Sequence, residues 1–523
     1  MVVHVILACI LSCIVFADDC NLYSKINLYA FGYNGNGQLG VPSIPNQLSQ
    51  NYSTKPLPMS MKGVESRSFK QVSLGSSHTV ALTINSEIYG WGANQHGQLA
   101  SPDYRNFVDP VKVERTGVFS EEFIIDIKAG VNFTVALAAS GALYTWGSNS
   151  EGQLGIGSSM NRSHIPTAIF NMTFKSVACG ASHVVALSSN GLLYSWGSNS
   201  ASQLGLSDED DIMDAVFEPV QVSGDADFLN STFVSVQANG RNSIALTING
   251  VIYMWGDNQY AQLGLAGELN FDDYNKPLVM DITGLDGLNV LRDFSLGSAF
   301  CVLVSKNQRS NMVSWGYNKE GELGIGKVSI SSRRPNLVDM SNIPFFVSNY
   351  STIRNIVAGK SHALVITFEG EIYGWGSDLW GQLAGTEWER FSKLIPTRID
   401  FSQFVEGQYV LDIPASCVNS DHTVLLTIDR SNLCCNNVSI NNPEVCSGAS
   451  QGKCINWNEC ECQTGYSGRR CELFTCYGKL STDPSACNYG TCEKPDKCKC
   501  ITGFSGDQCE SASRESIILG IAL

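Results

Sequence analysis

One twelve-residue pattern recurs along the chain: YAFGYNGNGQLG from Tyr29, YGWGANQHGQLA from Tyr89, YTWGSNSEGQLG from Tyr144, YSWGSNSASQLG from Tyr194, YMWGDNQYAQLG from Tyr253, VSWGYNKEGELG from Val313 and YGWGSDLWGQLA from Tyr373. These seven copies lie 50 to 60 residues apart. A second element precedes six of them, in its fullest form GSSHTVALTINSEIYGWG from Gly75 to Gly92. Its fourth position reads His78, Phe133, His183, Asn242, Phe300 and His362 in turn. A further copy of this leading element, NSDHTVLLTID around His422, has no Trp-Gly half after it. The missing half stands at the other end, in Tyr29 to Gly40.

Runs such as HTVALT and EIYGWG are short, β-branched and aromatic, and turn residues such as Asn85-Ser86 separate them, which is the hairpin signature. A unit this small cannot bury both faces, so units of this period stack around an axis and leave only short edges. Seven units, one split between the two ends, predict a closed ring in which Leu28 to Gly32 joins Thr423 to Ile428. An open solenoid needs capping repeats and has no use for complementary halves. The expected class is therefore all-β.

Residues 28 to 429, roughly three quarters of the chain, resemble the regulator of chromosome condensation family. Its seven-bladed β-propellers carry this G-x-x-H…AL…G-x-Y-x-WG-x-N-x-x-GQLG pattern. The chain has neither a Trp-Asp dipeptide nor a Gly-Gly doublet, which disfavours WD-type and kelch blades. The recurring residues read as scaffold. Trp91, Trp146, Trp196, Trp255, Trp315 and Trp375 share one phase, with Phe31 substituting in the split blade, as packing between blades requires. A catalytic or metal role for His78, His183, His362 and His422 is at odds with Phe133, Asn242 and Phe300 in the equivalent slots, so buried, hydrogen-bonded imidazoles are expected. Gly359-Lys360-Ser361 imitates the end of a phosphate loop, but Arg354 stands where the first glycine belongs. Asp208-Glu209-Asp210-Asp211 fits no calcium-loop spacing. No catalytic motif, metal site or cofactor site is predicted.

Of 19 cysteines, Cys9 and Cys13 fall in an apolar leader and thirteen of the remaining seventeen lie in the last 90 residues, the density of an oxidised scaffold. Two segments there, each ending Cys-x-Cys then Gly-aromatic-x-Gly-x-x-Cys (Gly465-Tyr466-Ser467-Gly468 and Gly503-Phe504-Ser505-Gly506), resemble tandem epidermal-growth-factor-like modules. That resemblance implies the pairs Cys435–Cys454, Cys446–Cys460 and Cys462–Cys471, then Cys476–Cys492, Cys487–Cys498 and Cys500–Cys509. Modules of about forty residues need such crosslinks because they lack a core. The calcium-binding lead-in of that module type is absent before Cys435 and Cys476. A closed ring would bring Cys20 and Cys434 together, so a clasp across the split blade is expected, with Cys435 as the alternative partner. Cys179, Cys301 and Cys417 read as buried thiols. The resulting layout is a signal peptide over 1–17, a propeller over 18–433, modules over 434–472 and 473–510, and a short apolar tail over 511–523.

Residues 2 to 16 are apolar without Lys or Arg and lead into Ala17, which reads as a secretory signal. Seven Asn-x-Ser/Thr acceptors agree with that route: Asn51, Asn132, Asn161, Asn171, Asn230, Asn349 and Asn437. The formal charge of −15 and the absence of any basic run beyond Ser332-Arg333-Arg334 argue against nucleic acid as a partner. The tail Ile517 to Leu523 is shorter than the roughly 20 residues of a bilayer span, so a membrane anchor is expected only if the chain continues.

These features point to a non-enzymatic, monomeric protein of the extracellular space or cell surface. Its propeller would bind a protein or glycan, and its cysteine-rich modules would serve as a stalk. Specificity would reside in the long connections near Asn46 to Lys62, Asp103 to Glu122, Ser207 to Phe233, Leu265 to Asp293 and Gly385 to Gln408. The resemblance also implies an alternative, guanine-nucleotide exchange on a small GTPase. A third family role, ultraviolet-B sensing in plants, needs Gly-Trp-Arg-His-Thr. The matching Ser76, Val131, Ala181, Gly240, Ser298 and Lys360 contain no Trp, which excludes that role.

Overall fold

The computed structural model describes residues 26–41, 51–64, 69–169, 171–206, 214–265, 274–280, 291–305, 312–343, 353–367, 370–384, 391–400, 408–413 and 420–429, together with short backbone strand pairs between 434 and 512. The first set forms seven four-stranded antiparallel sheets, the blades of a β-propeller. The first complete blade runs Phe69–Leu74, His78–Thr83, Ile88–Gly92 and Phe107–Lys112. Its two middle strands are buried throughout, whereas the fourth alternates between half-buried and exposed residues. The first strand lies innermost, against the first strand of the next blade: the Gln71 amide donates to Asp126 Oδ1 at 2.6 Å and to the Ile127 carbonyl at 3.1 Å.

The ring closes through the split blade. Ile26–Tyr33 pairs antiparallel with His422–Asp429 in unbroken register, from Ile26 opposite Ile428 to Gly32 opposite His422. Tyr52–Pro58 completes this sheet on the outside and Gln408–Asp412 on the inside. At the joint Gly32 has φ +102°, and a Cβ there would sit 2.6 Å from the Asp421 carbonyl oxygen. Only glycine fits this close approach of two backbones. Gly92 to Gly376 repeat the same conformation in the other six blades, so the seam between the termini has the geometry of an internal blade.

Seven apolar clusters occupy the seven spaces between adjacent blades. One joins Leu28 and Val424 to Phe69 and Trp91, and another joins Leu364 and Ile366 to Phe31 and Leu425. Each indole is fully buried and donates across its space to the backbone carbonyl of the Gln-Leu turn of the preceding blade. The bonds are Trp91 to Gln38 (2.9 Å), Trp146 to Gln98 (2.9 Å), Trp196 to Gln153 (3.1 Å), Trp255 to Gln203 (3.0 Å), Trp315 to Gln262 (2.9 Å) and Trp375 to Glu322 (2.8 Å). Phe31 has no N–H to give, and there the Thr423 hydroxyl donates to Gln382 O instead, at 3.1 Å. The turns are tied to themselves by their own recurring residues: Asn94 Oδ1 accepts from Leu99 N, and Gln98 Oε1 accepts from His96 N.

The structure changes one part of the sequence reading. Each connection expected to be a long loop contains the outermost strand of a blade: Tyr52–Pro58, Phe107–Lys112, Ala215–Gln221, Tyr274–Val279 and Lys393–Ile399. These strands touch the blade on one edge only, so they lack the apolar run that marks the inner three. The stretch before Phe233 also carries a one-turn helix, Ala226–Leu229, capped by Asp225 and seating Phe228 in the core.

Residues Tyr23–Ile428 form one compact unit, and the remaining residues form another. In the second, Gly452–Asn456 pairs with Glu459–Cys462 and Gly490–Lys494 with Lys497–Cys500, one hairpin in each expected cysteine-rich module. The sulfur pairings of these modules and the Cys20–Cys434 clasp lie outside the described residues, as does Cys417.

The carbonyls differ in how many donors they receive, and this predicts unequal costs for one substitution. Gln38 O accepts from both Trp91 and the Thr79 hydroxyl (2.9 Å), whereas among the described residues Gln153 O accepts from the Trp196 side chain alone. Trp196→Phe strands that buried carbonyl and Trp91→Phe does not. Denaturant titration should find W196F less stable than W91F by about 1 to 3 kcal/mol; equal losses would mean that packing volume alone sets the cost.

Candidate functional site

The histidines of the repeat form a relay between blades. His78 Nε2 lies 3.3 Å from Thr134 Oγ1, His183 Nε2 2.9 Å from Ser243 Oγ, His362 Nε2 3.5 Å from Thr423 Oγ1 and His422 Nε2 3.1 Å from Thr79 Oγ1. Each hydroxyl spends its single proton on a carbonyl, that of Gln98, Gln203, Gln382 or Gln38. The imidazole must then be the donor, which fixes the Nε2–H tautomer. Nδ1 is buried without a partner in His78, His183 and His362. Burial holds the imidazoles neutral, with pKa values lowered to about 3 for His78, His183 and His422 and about 4 for His362. The rings and the hydroxyls they meet are all buried, with each hydroxyl proton committed to a carbonyl, so these pairs serve as struts, as the variable fourth position implied.

Two of the exceptions match across their spaces: at the positions where other blades pair His with Thr or Ser, Phe133 shares an apolar cluster with Val184 and Phe300 shares one with Ala363. Asn242, whose counterpart by repeat position is Cys301, turns to its own blade instead, and its Nδ2 donates to the Asp257 carbonyl at 2.6 Å. This correlation lies within the chain, and the sequence reading, which followed one column at a time, did not use it. Cys179 and Cys301 are buried thiols outside any disulfide, and burial pushes the Cys301 thiol strongly up.

Glu322 stands where six turns carry Gln. Its Oε2 accepts from Glu320 N at 2.9 Å, as each Gln Oε1 does in its own turn, while Oε1 is buried and unpartnered. Gln38 and Gln262 leave their Nε2 unpartnered at the same place, so a protonated carboxyl loses no hydrogen bond there. Burial raises its pKa to about 7.

The inner strands line the axis with polar side chains. Asp126 bridges Gln71 and Lys128 (2.9 Å), Asn355 donates to Asp412 at 2.7 Å, and Asn239 donates to the Leu296 carbonyl at 2.6 Å. At one mouth of the axis Val131 N donates to Ala181 O, Ala181 N to Gly240 O and Lys360 N to Ser420 O. Lys360 Nζ pairs with Asp421 at 3.1 Å, and Gly359 packs under the His362 ring, so this Gly-Lys-Ser is a blade position and not a phosphate cradle. The acidic run from Asp208 lies outside the described residues. Among the described residues no three His, Cys, Asp or Glu side chains converge as metal ligands would.

The sequon asparagines are well separated from this machinery. Asn51, Asn161, Asn171 and Asn230 are exposed, each beside an outer strand or a connection, and Asn132 is half-buried at the mouth near Gln98. Asn349 and Asn437 lie outside the described residues. In this arrangement the repeated Trp, His, Asn and Gln side chains bond within or between blades, and the turns and outer strands that vary from blade to blade carry the exposed residues.

Seven such blades closed on one another make a β-propeller. The family model RCC1-like domain matches residues 19–352, and an RCC1 repeat matches 353–382. The chain belongs to the RCC1-like family. An EGF domain of the Platelet endothelial aggregation receptor 1-like type matches 482–517. Ultraviolet-B receptor UVR8 of Arabidopsis thaliana is 29% identical over 333 residues, which are 62% of this chain and 69% of that receptor. Serine/threonine-protein kinase Nek9 of Xenopus laevis is 27% identical over 431 residues, 80% of this chain and 42% of the kinase. E3 ubiquitin-protein ligase HERC2 of Homo sapiens is 27% identical over 345 residues, 65% of this chain and 6% of the ligase. The fold agrees with human WBSCR16 (TM-score 0.64, 21% identity, 77% of this chain and 99% of that one) and with Prp20p from Saccharomyces cerevisiae (0.65, 18%, 79% and 93%).

Two pH effects of opposite sign follow. The histidines take up protons more readily when unfolded, near pH 6.5, than when folded, so their contribution is complete above that value and is lost progressively as pH falls toward about 3 for His78, His183 and His422 and about 4 for His362. At pH 5 each costs about 2 kcal/mol. The double substitution His78→Phe, Thr134→Val copies the Phe133–Val184 pair and should shrink the stability difference between pH 7 and pH 5 by about that amount in denaturant titrations. Glu322 works the other way, since the folded state holds its proton up to about pH 7 and the unfolded state releases it near 4.3. Glu322→Gln should therefore stabilise the protein at pH 8 and leave it unchanged at pH 4; a gain of equal size at both would refute the protonation account.

Proposed function

We propose that this chain is a secreted or cell-surface recognition protein, in which the propeller binds a protein or glycan through its unrepeated turns and outer strands and the cysteine-rich C-terminal part acts as a stalk. The observation that carries this reading is the division of labour among the residues. The recurring Trp, His, Asn and Gln side chains bond between or within blades, no three His, Cys, Asp or Glu side chains converge among the described residues, and the exposed positions are those that differ from blade to blade. The apolar leader, four exposed sequon asparagines and the matched EGF domain support the extracellular route. Prp20p is described by its binding to Gsp1p and histones, and UVR8 as a light receptor. For this chain, exchange on a small GTPase is the competing outcome.

Expression of the full chain in a secretory cell line discriminates. The propeller should be recovered from the medium, and glycosidase treatment should increase its gel mobility in steps that N161Q and N230Q each remove. Retention in the cytosol with unmodified asparagines, together with accelerated nucleotide release from a small GTPase, would replace this reading with the exchange reading.

A further inference from the structure

We infer that the rim where the split, first and second blades meet is a binding site for an acidic sugar chain, one bearing sulfate or carboxylate groups. This rests on the recognition reading above and names the ligand class for that surface. Arg162 opens the outer strand Arg162–Ala168 of the second blade, and its guanidinium lies over the Tyr104 ring at 4.3 Å. One arm donates to the Gln95 carbonyl at 2.6 Å, and no carboxylate pairs with this exposed cation among the described residues. The Tyr104 hydroxyl meets His164 Nδ1 at 3.0 Å, with the two rings edge to face. His96 on the neighbouring turn is close enough for Arg162 to help lower its pKa. Arg105, exposed next to Tyr104 in the chain, pairs with Asp103 at 3.2 Å and lies over the Phe107 ring at 4.9 Å.

Tyr104 carries the argument beyond a chance cluster. Its backbone is left-handed at φ +51°. Of the other left-handed non-glycine residues, Ser86, Ala100, Ser202, Ala261 and Ala384 occupy repeat turns where other blades place glycine, and Asn171 is of a type that tolerates this region, whereas Tyr104 is a bulky residue at no repeat position. A bulky residue held in this region stores strain, which is retained where surroundings or function demand the side chain. Here the strain presents a phenol to one arginine and one histidine on a different blade.

Beside the cations lies a line of exposed amides. Gln95 Nε2 donates to Asn106 Oδ1 at 2.6 Å, and Asn106 Nδ2 donates to Asn36 Oδ1 on the split blade at 3.0 Å. Each amide keeps a second N–H, so the line offers spare donors and acceptors next to two guanidinium groups. Planar forks suit sulfate or carboxylate, and side-chain amides suit sugar hydroxyls. An acidic peptide would use the forks and leave the amide line idle, so the sugar uses more of the surface. The net charge of −15 does not forbid this, because charges beyond about 8 Å are screened at physiological ionic strength.

The test uses the full secreted chain after endoglycosidase trimming, so that no glycan on Asn161 covers the rim. Titration with a heparin hexasaccharide, a glucuronate-containing hexasaccharide, a neutral glucan hexamer and a poly-glutamate peptide reads the ligand class. At least one acidic sugar should bind, the neutral glucan should not, and Arg162→Gln should weaken binding tenfold or more at an unchanged melting temperature. Asn106→Ala should weaken it several-fold, an effect the peptide would not show. Absence of acidic-sugar binding, binding untouched by R162Q, or poly-glutamate held as tightly as the sugars would each overturn the site. Sugar binding by a chain that cells fail to secrete would uphold the site and remove the extracellular reading instead.

Discussion

The buried bond from an indole N–H to a backbone carbonyl of the neighbouring blade is the interaction on which the disc depends. A propeller blade has two apolar faces and no means of choosing its angle to the next one from hydrophobic contact alone, because area burial is non-directional. The Trp-to-Gln-Leu-turn bond supplies direction. It fixes where the third strand of one blade sits against the turn of another, and it does so with a donor that cannot return to water. The turn must therefore present its carbonyl at a defined place, which explains why Asn and Gln side chains stitch each turn to itself before it meets the indole. The register shift of every third-to-fourth strand pairing beside the aromatic position, such as that between Gly90 and Gly92, belongs to the same device, since a bulge re-aims a side chain.

Closure by the split blade then becomes intelligible as a kinetic and topological constraint. Six spaces can form from contiguous chain, but the seventh requires Ile26–Tyr33 to find His422–Asp429 across about four hundred residues. The weakest donor set falls at this blade. Phe31 replaces the indole, and Gln382 O receives the Thr423 hydroxyl, with His362 a distant 3.5 Å from that oxygen. Such a joint is where a clasp between the flanking regions would act, and the Cys20–Cys434 pairing expected there lies outside the described residues.

The seven-fold order, the split and the scaffold role of Trp and His were legible because each rests on recurrence, and a recurring residue reports a recurring environment. The outer strands were not legible. Sequences such as RSHIPTA and YNKPLV are half-exposed, carry a proline on an edge and vary between blades, so neither period nor composition separates them from loops. The His–hydroxyl pairing was present in the sequence but invisible to a column-by-column reading. Thr134 and His78 stand 56 residues apart, and their dependence emerges only when Phe133–Val184 and Phe300–Ala363 are set beside them as apolar counterparts. The rim at Arg162 was hidden for a different reason. Tyr104, Arg162 and Asn36 come from three blades and recur nowhere, and only the closed ring brings them together.

This contrast bears on how such a scaffold acquires function. Repetition makes each blade able to stand in for another, so a change at a scaffold position is tolerated when its partner across the space changes in kind, as Phe133 with Val184 and Phe300 with Ala363 illustrate, or when the new side chain finds a bond in its own blade, as Asn242 does with the Asp257 carbonyl. Glu322 is the limiting case, since a carboxyl replaces an amide without losing a bond because the position uses only one oxygen. Function requires the opposite property, a place where blades are not equivalent. The left-handed Tyr104, Arg162 with no carboxylate partner among the described residues, and the amide line from Gln95 through Asn106 to Asn36 meet that requirement with side chains that the repeat does not prescribe. The disc is held by what its blades share, and the recognition proposed for it would belong to what they do not.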